Sequence, residues 1–520
     1  MGRRLILAAA SATVPLALLS ALLLLRGDLL RAGVLLIGAS APATFLIYLY
    51  KKGPKAKLDM LLVTSIVHMY ALSLGEAGPD DLMRAVAESP EYGFYSRVFA
   101  SIRRLSRDFG YGFSKAISYI ARTVKPPLKD ILLRCSEAFS SPRPREFLEL
   151  EISTIMEEYS GMYTRMVESL KLLGGMFATF QSVSVFVVLT VAILTLLISD
   201  SAVVGLSYMI AAAAVTVMFL GFRMASMGEP LVYVGRNPSR IYRLFRSSLL
   251  AALSLMPLSL AAGLLSGVPL AMISAGAFMM IPGMLGYKLE TYVTSLDENY
   301  PAFIKALGEN TASTSDLKAA LEYVLSMELG PLRALASRAL ARLKLGLGGE
   351  TVFSLLASEA SSHKIYMFNK IFLDAFRSGS NPLEVGKILS GILIRFQDFR
   401  KRRIAVSKSF EAVVMILQPI TVALLVILSG LCRFFTSTLV SIPYFPFGSI
   451  PLDLIEMGNT ALVLLITALN SMAIKEARGG FWGSSLLYAG ILFAASGAVW
   501  MGARYMVERM FTELQAPLIF

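Results

Sequence analysis

The chain has 520 residues, of which 55% are hydrophobic and only 16% charged, with a mean hydropathy of +0.64 and a formal net charge of +13. A soluble protein of this size carries about 25% charged residues, so an ordinary soluble enzyme is excluded and a polytopic membrane protein is expected. The basic balance needs no nucleic acid, because Lys and Arg gather on the cytoplasmic side of membrane proteins.

Apolar segments fall near 5–25, 29–50, 173–198, 202–222, 247–265, 267–287, 411–430, 456–474 and 483–502. Each is about the 20 residues needed to cross a hydrocarbon core, which predicts nine spans. With the N-terminus inside, 44 of the 49 Lys and Arg residues lie in cytoplasmic segments, so the predicted topology is N-in and C-out. Arg3-Arg4 and the run after them read as an uncleaved anchor, since the run is longer than a signal peptide's apolar stretch. The expected organisation is a transmembrane hairpin at 1–50 and a cytoplasmic helical domain at 51–171. Four spans at 172–287 follow, with a cytoplasmic loop near 223–246. A second cytoplasmic helical domain covers 288–410, three more spans lie in 411–502, and 503–520 is an outside tail.

The first polar stretch reads as helices throughout. Leu58, Leu61, Leu62, Ser65, His68, Met69 and Leu72 recur at steps of three and four, as in an amphipathic helix. Gly78-Pro79-Asp80-Asp81 starts another, with Pro and two acids where a helix N-terminus favours them. Helices are predicted at 94–109, 113–124 and 128–139, and then from about 144 to 171 into the third span. The second stretch repeats the layout with 297–309, 314–328, 330–345, 350–361, 364–378 and a long helix from about 382 to 410. No strand-length alternation interrupts either stretch, so the fold class is all-α, with about nine transmembrane helices and two duplicated cytoplasmic helical bundles.

Landmarks support the duplication. Phe109-Gly110-Tyr111-Gly112 matches Leu345-Gly346-Leu347-Gly348 at an offset of 236. Glu137-Ala138-Phe139-Ser140 matches Asp374-Ala375-Phe376-Arg377, and Gln181 matches Gln418, both at an offset of 237.

No catalytic constellation is present in the sequence. Gly346-Leu347-Gly348-Gly349-Glu350-Thr351 has Glu where a phosphate-binding loop needs Lys, so it reads as a helix stop and restart. Cys135 and Cys432 fall on opposite sides of the membrane and suit neither a disulfide nor a zinc site. His68 and His363 read as surface or core residues. The absence of charge from the middle of every span argues against a pump, an ion-coupled transporter or an intramembrane protease, because such charges mark transport and proton pathways. Gln418-Pro419 is the polar kink best placed in the repeat, either a packing kink or a hinge under the cytoplasmic domain. No metal or cofactor is expected, and the chain is not read as an enzyme.

Two basic sets stand at matching places: Arg103, Arg104 and Arg107 before the first glycine turn, and Arg338, Arg342 and Lys344 before the second. Each is either a solvated face or a shared docking surface. Arg400-Lys401-Arg402-Arg403 lies about 12 Å before the seventh span, where anionic lipid head groups are the default partner and a docked protein the alternative.

These features together resemble the inner-membrane platform protein family of type II secretion and type IV pilus machines. They are the duplicated helical domain with its Gly-x-Gly turn, the Phe139 and Phe376 elements near Pro142 and Pro382, and the long helix feeding a span. The extra spans and the Lys475–Gly480 loop resemble the archaeal branch, which includes the archaellum assembly membrane protein. The family's usual acidic-Pro pair stands here as Gln418-Pro419 and Gln181-Ser182. The resemblance implies a non-enzymatic platform in the cell membrane, with a homodimer as its form by family analogy, on which a cytosolic hexameric secretion ATPase docks and through which it drives pilin or archaellin subunits into a filament. It implies that Arg103, Arg104, Arg107, Arg338, Arg342 and Lys344 belong to the docking surface. A polytopic transporter or lipid-handling permease is the alternative.

Overall fold

The computed structural model describes residues 58–139, 144–194, 201–439 and 451–515. The expected spans at 5–25 and 29–50 lie outside the described residues.

The first group of helices is α1 (Met60–Ser73), α2 (Pro79–Ala87), α3 (Phe94–Arg107), α4 (Phe113–Ala121) and α5 (Leu128–Ala138). Their ends follow local chemistry. Asp59 caps α1 by accepting the Leu62 N–H at 2.9 Å, and the Asp81 carboxylate reaches back to the Gly78 N–H at 3.3 Å in front of α2. Next comes α6 (Pro144–Leu194), whose 51 unbroken residues are about 76 Å long. A hydrocarbon core is only about 30 Å thick, so more than half of α6 stands outside it.

α7 (Ser201–Ala225), α8 (Arg240–Ser266) and α9 (Val268–Thr314) follow. The second group then comprises α10 (Leu317–Val324), α11 (Arg333–Lys344), α12 (Gly349–Ala360) and α13 (His363–Arg377). α14 (Pro382–Leu439), α15 (Leu452–Arg478) and α16 (Ser485–Gln515) complete the described chain. No strand is formed among the described residues; only an isolated bridge joins Val232 to Ser362. Six of these helices, α6, α7, α9, α14, α15 and α16, are long and apolar enough to cross a membrane. The expected span at 247–265 falls within α8.

Two sequence expectations change. The helix expected at 297–309 is no separate element but the end of α9, which runs 47 residues through Pro282 and Pro301 without a break. No turn residue separates Tyr287 from Asp297, so the span continues into the helical group. α1 is not one-faced either. All its residues except Leu61 are buried, because α6 and α2 hold it from its own group and α13 from the other.

The sequence-matched long helices α6 and α14 run side by side. Outside the spans their contact is aromatic: Tyr163 stacks on Phe399 at 5.2 Å and Tyr159 meets Phe396 edge-on at 5.6 Å. Further along, Phe410 stacks on Phe222 at 4.6 Å and meets Phe177 at 5.5 Å, with Gly174 allowing the close approach. Aromatic pairs of this kind add about 0.5–1.5 kcal/mol each beyond area burial.

Candidate functional site

Four polar assemblies tie the helices together. The first joins the two helical groups. Ser380 donates to the Ala71 carbonyl at 2.8 Å and the Glu76 N–H donates to Ser378 O at 3.2 Å. Gly75 fits there because a Cβ would strike the Ser378 carbonyl. Fully buried His68 stands between Tyr92, whose hydroxyl is 3.0 Å from Nδ1, and Asp374 of α13, whose Oδ2 is 3.2 Å from Nε2 but out of line for a hydrogen bond. His68 is thus a core residue bridging the groups. Glu91 of the first group accepts from the Tyr366 hydroxyl and lies 3.3 Å from Lys370 Nζ, both of α13. Burial pushes the Glu91 carboxyl up, but those two donors and the backbone outweigh it and hold the pKa below the usual carboxylate value. His363 opens α13, where its ring is largely shielded from water; that burial lowers its pKa to about 4 and keeps it neutral.

The second assembly is a clasp that the sequence did not signal. Between α7 and α8 the chain runs extended along the start of α13. The Tyr233 N–H donates to Ser361 O and the His363 N–H to Leu231 O, each at 3.0 Å. The Ser239 N–H donates to Ser361 Oγ at 3.1 Å, and Tyr233 stacks on Tyr366 at 3.9 Å. Glu229, in the same segment, accepts from the Tyr163 hydroxyl of α6 at 2.7 Å and lies 3.5 Å from Arg403 of α14. Its apolar run, Leu231-Val232-Tyr233-Val234, is only four residues long and does not alternate, and its partner is over a hundred residues away.

Arg403 centres the third assembly and is 1% exposed. Its guanidinium donates to Ala477 O at 2.9 Å, Glu476 O at 2.7 Å and Met227 O at 2.8 Å. The first two are last-turn carbonyls of α15, which have no partner within their own helix. Gly479 takes φ +65° just beyond, and a Cβ there would strike the Arg403 guanidinium, so glycine is required twice over. Beside it Glu290 of α9 pairs with Arg478 at 3.2 Å and Arg400 at 3.5 Å, and accepts the Phe481 N–H at 3.1 Å. The Lys475–Gly480 stretch, expected as a loop, is the last turn of α15 with its glycine cap, and it is where α7, α9, α14 and α15 are fastened. Of the four basic residues before the seventh span, Arg400 and Arg403 point into this protein network, while Lys401 and Arg402 are exposed. The spacing of three puts the buried pair on one helix face, whereas the sequence expectation treats all four as one lipid-facing or protein-docking cluster.

Deeper in the spans, the two sequence-matched glutamines meet. The Asn470 amide donates to Gln181 Oε1 at 3.2 Å and also to Gln418 Oε1. Gln418 Nε2 donates to Thr467 at 2.6 Å, and Gln181 Nε2 to Thr421 at 3.1 Å. Pro419 sits inside the continuous α14.

Each cation expected at a docking surface has a carboxylate neighbour. Arg103 Nε donates to Asp80 at 2.9 Å and Nη1 to Glu88 at 3.0 Å; its hydrogen bond holds Asp80 below the ordinary carboxylate pKa. Arg107 lies 3.7 Å from Asp80 and Arg104 3.8 Å from Asp108. Arg338, at 2.9 Å, and Arg342 share Glu359, and Lys344 pairs with Glu322 at 2.8 Å. Arg103 and Arg342 are largely covered, whereas Arg104, Arg107, Arg338 and Lys344 remain exposed. Among the described residues no group of His, Cys, Asp and Glu is placed to hold a metal ion.

A polytopic, all-helical membrane protein with two interlocked helical groups beside its spans is the class these features define. The chain is 24% identical over 428 residues to flagella accessory protein J of Methanocaldococcus jannaschii, covering 77% of this chain and 76% of the relative. It is 23% identical over 372 residues to flagella accessory protein J of Methanococcus voltae, covering 68% and 66%. The chain is a homologue of these proteins, in keeping with its resemblance to the archaeal branch of the platform family. No family model and no solved structure matches it.

Proposed function

We propose that this chain is the membrane platform of an archaellum or related type IV filament machine, coupling a cytosolic hexameric ATPase to the assembly of pilin-like subunits; a type II secretion machine is the family's other form. It spans the membrane nine times, with its N-terminus inside, and both helical groups face the cytosol. It holds no nucleotide. The likeness to flagella accessory proteins along about three quarters of the chain carries this reading. The geometry supports it: both helical groups are fastened to each other and, through the 226–239 clasp and Arg403, to four spans. A push on either group is then delivered to the spans as a unit rather than absorbed by a flexible linker.

The docking surface includes Arg104, Arg107, Arg338 and Lys344, with Arg103 and Arg342 holding it in shape. The test is to delete the gene, complement it, and purify the tagged full chain from native membranes in mild detergent. Loss of filaments in the deletion, with co-purification of a secretion-type ATPase that Arg338→Glu with Lys344→Glu weakens, is the expected result. Intact filaments in the deletion, or recovery of a bound solute without ATPase, overturns the reading.

A further inference from the structure

The two sequence-matched glycine turns are more than helix stops. At the first, Phe109 is 63% and Tyr111 50% exposed; at the second, Leu345 is 82% and Leu347 43% exposed. Scattered single apolar residues on a surface need no explanation, but two pairs at the same point of two repeats do. The turns share one backbone geometry. Gly110 and Gly346 adopt φ +69° and +83°, and each loop is tied back to its helix, by Tyr111 N–H to Leu105 O at 3.3 Å and Leu347 N–H to Arg342 O at 3.2 Å.

Their place in the fold excludes lipid as the occupant. α9 leaves its apolar window near 287 and runs on to Thr314, about 40 Å further. At that far end Gly308 lies against Gly386, and Leu317 lies against Gly349, which directly follows the second turn. Gly75 meets Ser378 and Ser380 at the same end, α2 begins there, and its Asp80 holds Arg103 and Arg107 near the end of α3, just before the first turn. Both turns therefore point away from the spans, into water. Around the first turn exposed cations outnumber acids, with Arg104, Arg107, Lys115 and Arg122 against Asp108; around the second, Arg338 and Lys344 stand beside Glu322 and Glu350.

We infer that Phe109 with Tyr111, and Leu345 with Leu347, are paired apolar knobs that insert into two apolar sockets on a cytosolic protein, the socket for the first pair rimmed by Asp or Glu. This rests on the platform reading and makes its ATPase the bearer of the sockets. A knob of this kind carries affinity, because burying a large apolar side chain contributes more than a rim charge, which chiefly raises the rate of encounter.

The test uses the full chain in lipid nanodiscs and the purified secretion-type ATPase of the same organism. Binding is measured by interferometry at about 50 mM and about 300 mM salt for the unmodified chain, Phe109→Ala, Leu345→Ala, their double variant, and Arg338→Ala with Lys344→Ala. Because both knob residues are exposed, their variants fold, which thermal melting verifies. The expected result is a loss of about tenfold or more for each knob variant at both salts, against a loss for the charge variant that fades as salt rises. Knob variants that bind like the unmodified chain while the charge variant loses affinity overturn this inference and leave the platform reading standing. An unmodified chain that binds no ATPase overturns both. A photoreactive residue at position 345 that cross-links a second copy of this chain, rather than the ATPase, overturns the inference as well.

Discussion

Replacing Arg403 by Ala is the most demanding check on the fastening described above. The substitution removes donors from three carbonyls, that of Ala477 buried and those of Met227 and Glu476 partly buried, and leaves Glu229 without its cation. An orphaned buried polar group costs about 1–3 kcal/mol, and breaking a buried charge pair about 3–5 kcal/mol. Water entering the space left by the guanidinium re-solvates part of the set, so the net loss is about 3–5 kcal/mol. Arg403→Lys keeps the charge but presents one ammonium where a planar fork reaches three acceptors, and loses about half as much. Arg402→Ala, on the exposed side of the same turn, costs under about 0.5 kcal/mol. The assay is thermal unfolding of the full chain in mild detergent, followed by near-ultraviolet circular dichroism. At about 2 °C per kcal/mol, Arg403→Ala lowers the midpoint by about 6 °C or more, Arg403→Lys by about half that, and Arg402→Ala by a degree or less. An Arg403→Ala protein that melts with the unmodified chain would refute the claim that this guanidinium holds α7, α14 and α15 together.

Two further outcomes follow from the same geometry. His363 is held neutral by burial, with its folded pKa near 4 against about 6.5 when unfolded, so between those values the unfolded chain binds the extra proton. Stability therefore falls as pH drops from about 6.5 to 4, by up to about 3 kcal/mol. His363→Gln flattens that part of a melting-versus-pH curve, and an unchanged slope would show that other groups set it. In the spans, Asn470→Leu separates the two glutamines and removes their shared donor. Polar pairs within membranes average about 0.6 kcal/mol and reach about 1.7, so the expected cost is about 1–2 kcal/mol. A drop in midpoint larger than that of Arg403→Ala would mean that the glutamine cluster, not the Arg403 hub, is the main fastening.

The sequence by itself determined the helical class, the long apolar runs and most helix limits, because these depend on local periodicity, caps and breakers. α3, α5, α11 and α12 end within a few residues of the Gly-x-Gly, Pro and Ser signals that mark them. It also set Gln181 and Gln418 at matching offsets, but that both reach Asn470 depends on how α6, α14 and α15 pack. What it left open was everything that depends on the far side of a contact. Periodicity gave α1 one buried face, and only the packing of α13 from the other group buried the rest. Charge density marked Arg400 to Arg403 as one cluster, yet the distant carboxylate of Glu290 and the open end of α15 drew Arg400 and Arg403 inward, leaving Lys401 and Arg402 in solvent. The clasp at 226–239 has no periodicity to read, because its hydrogen bonds go to residues over a hundred positions away. The same holds for the exposure of Phe109 and Leu345, which the sequence placed beside glycine turns but which only the tertiary structure turned outward, since burial belongs to whatever else the chain brings alongside.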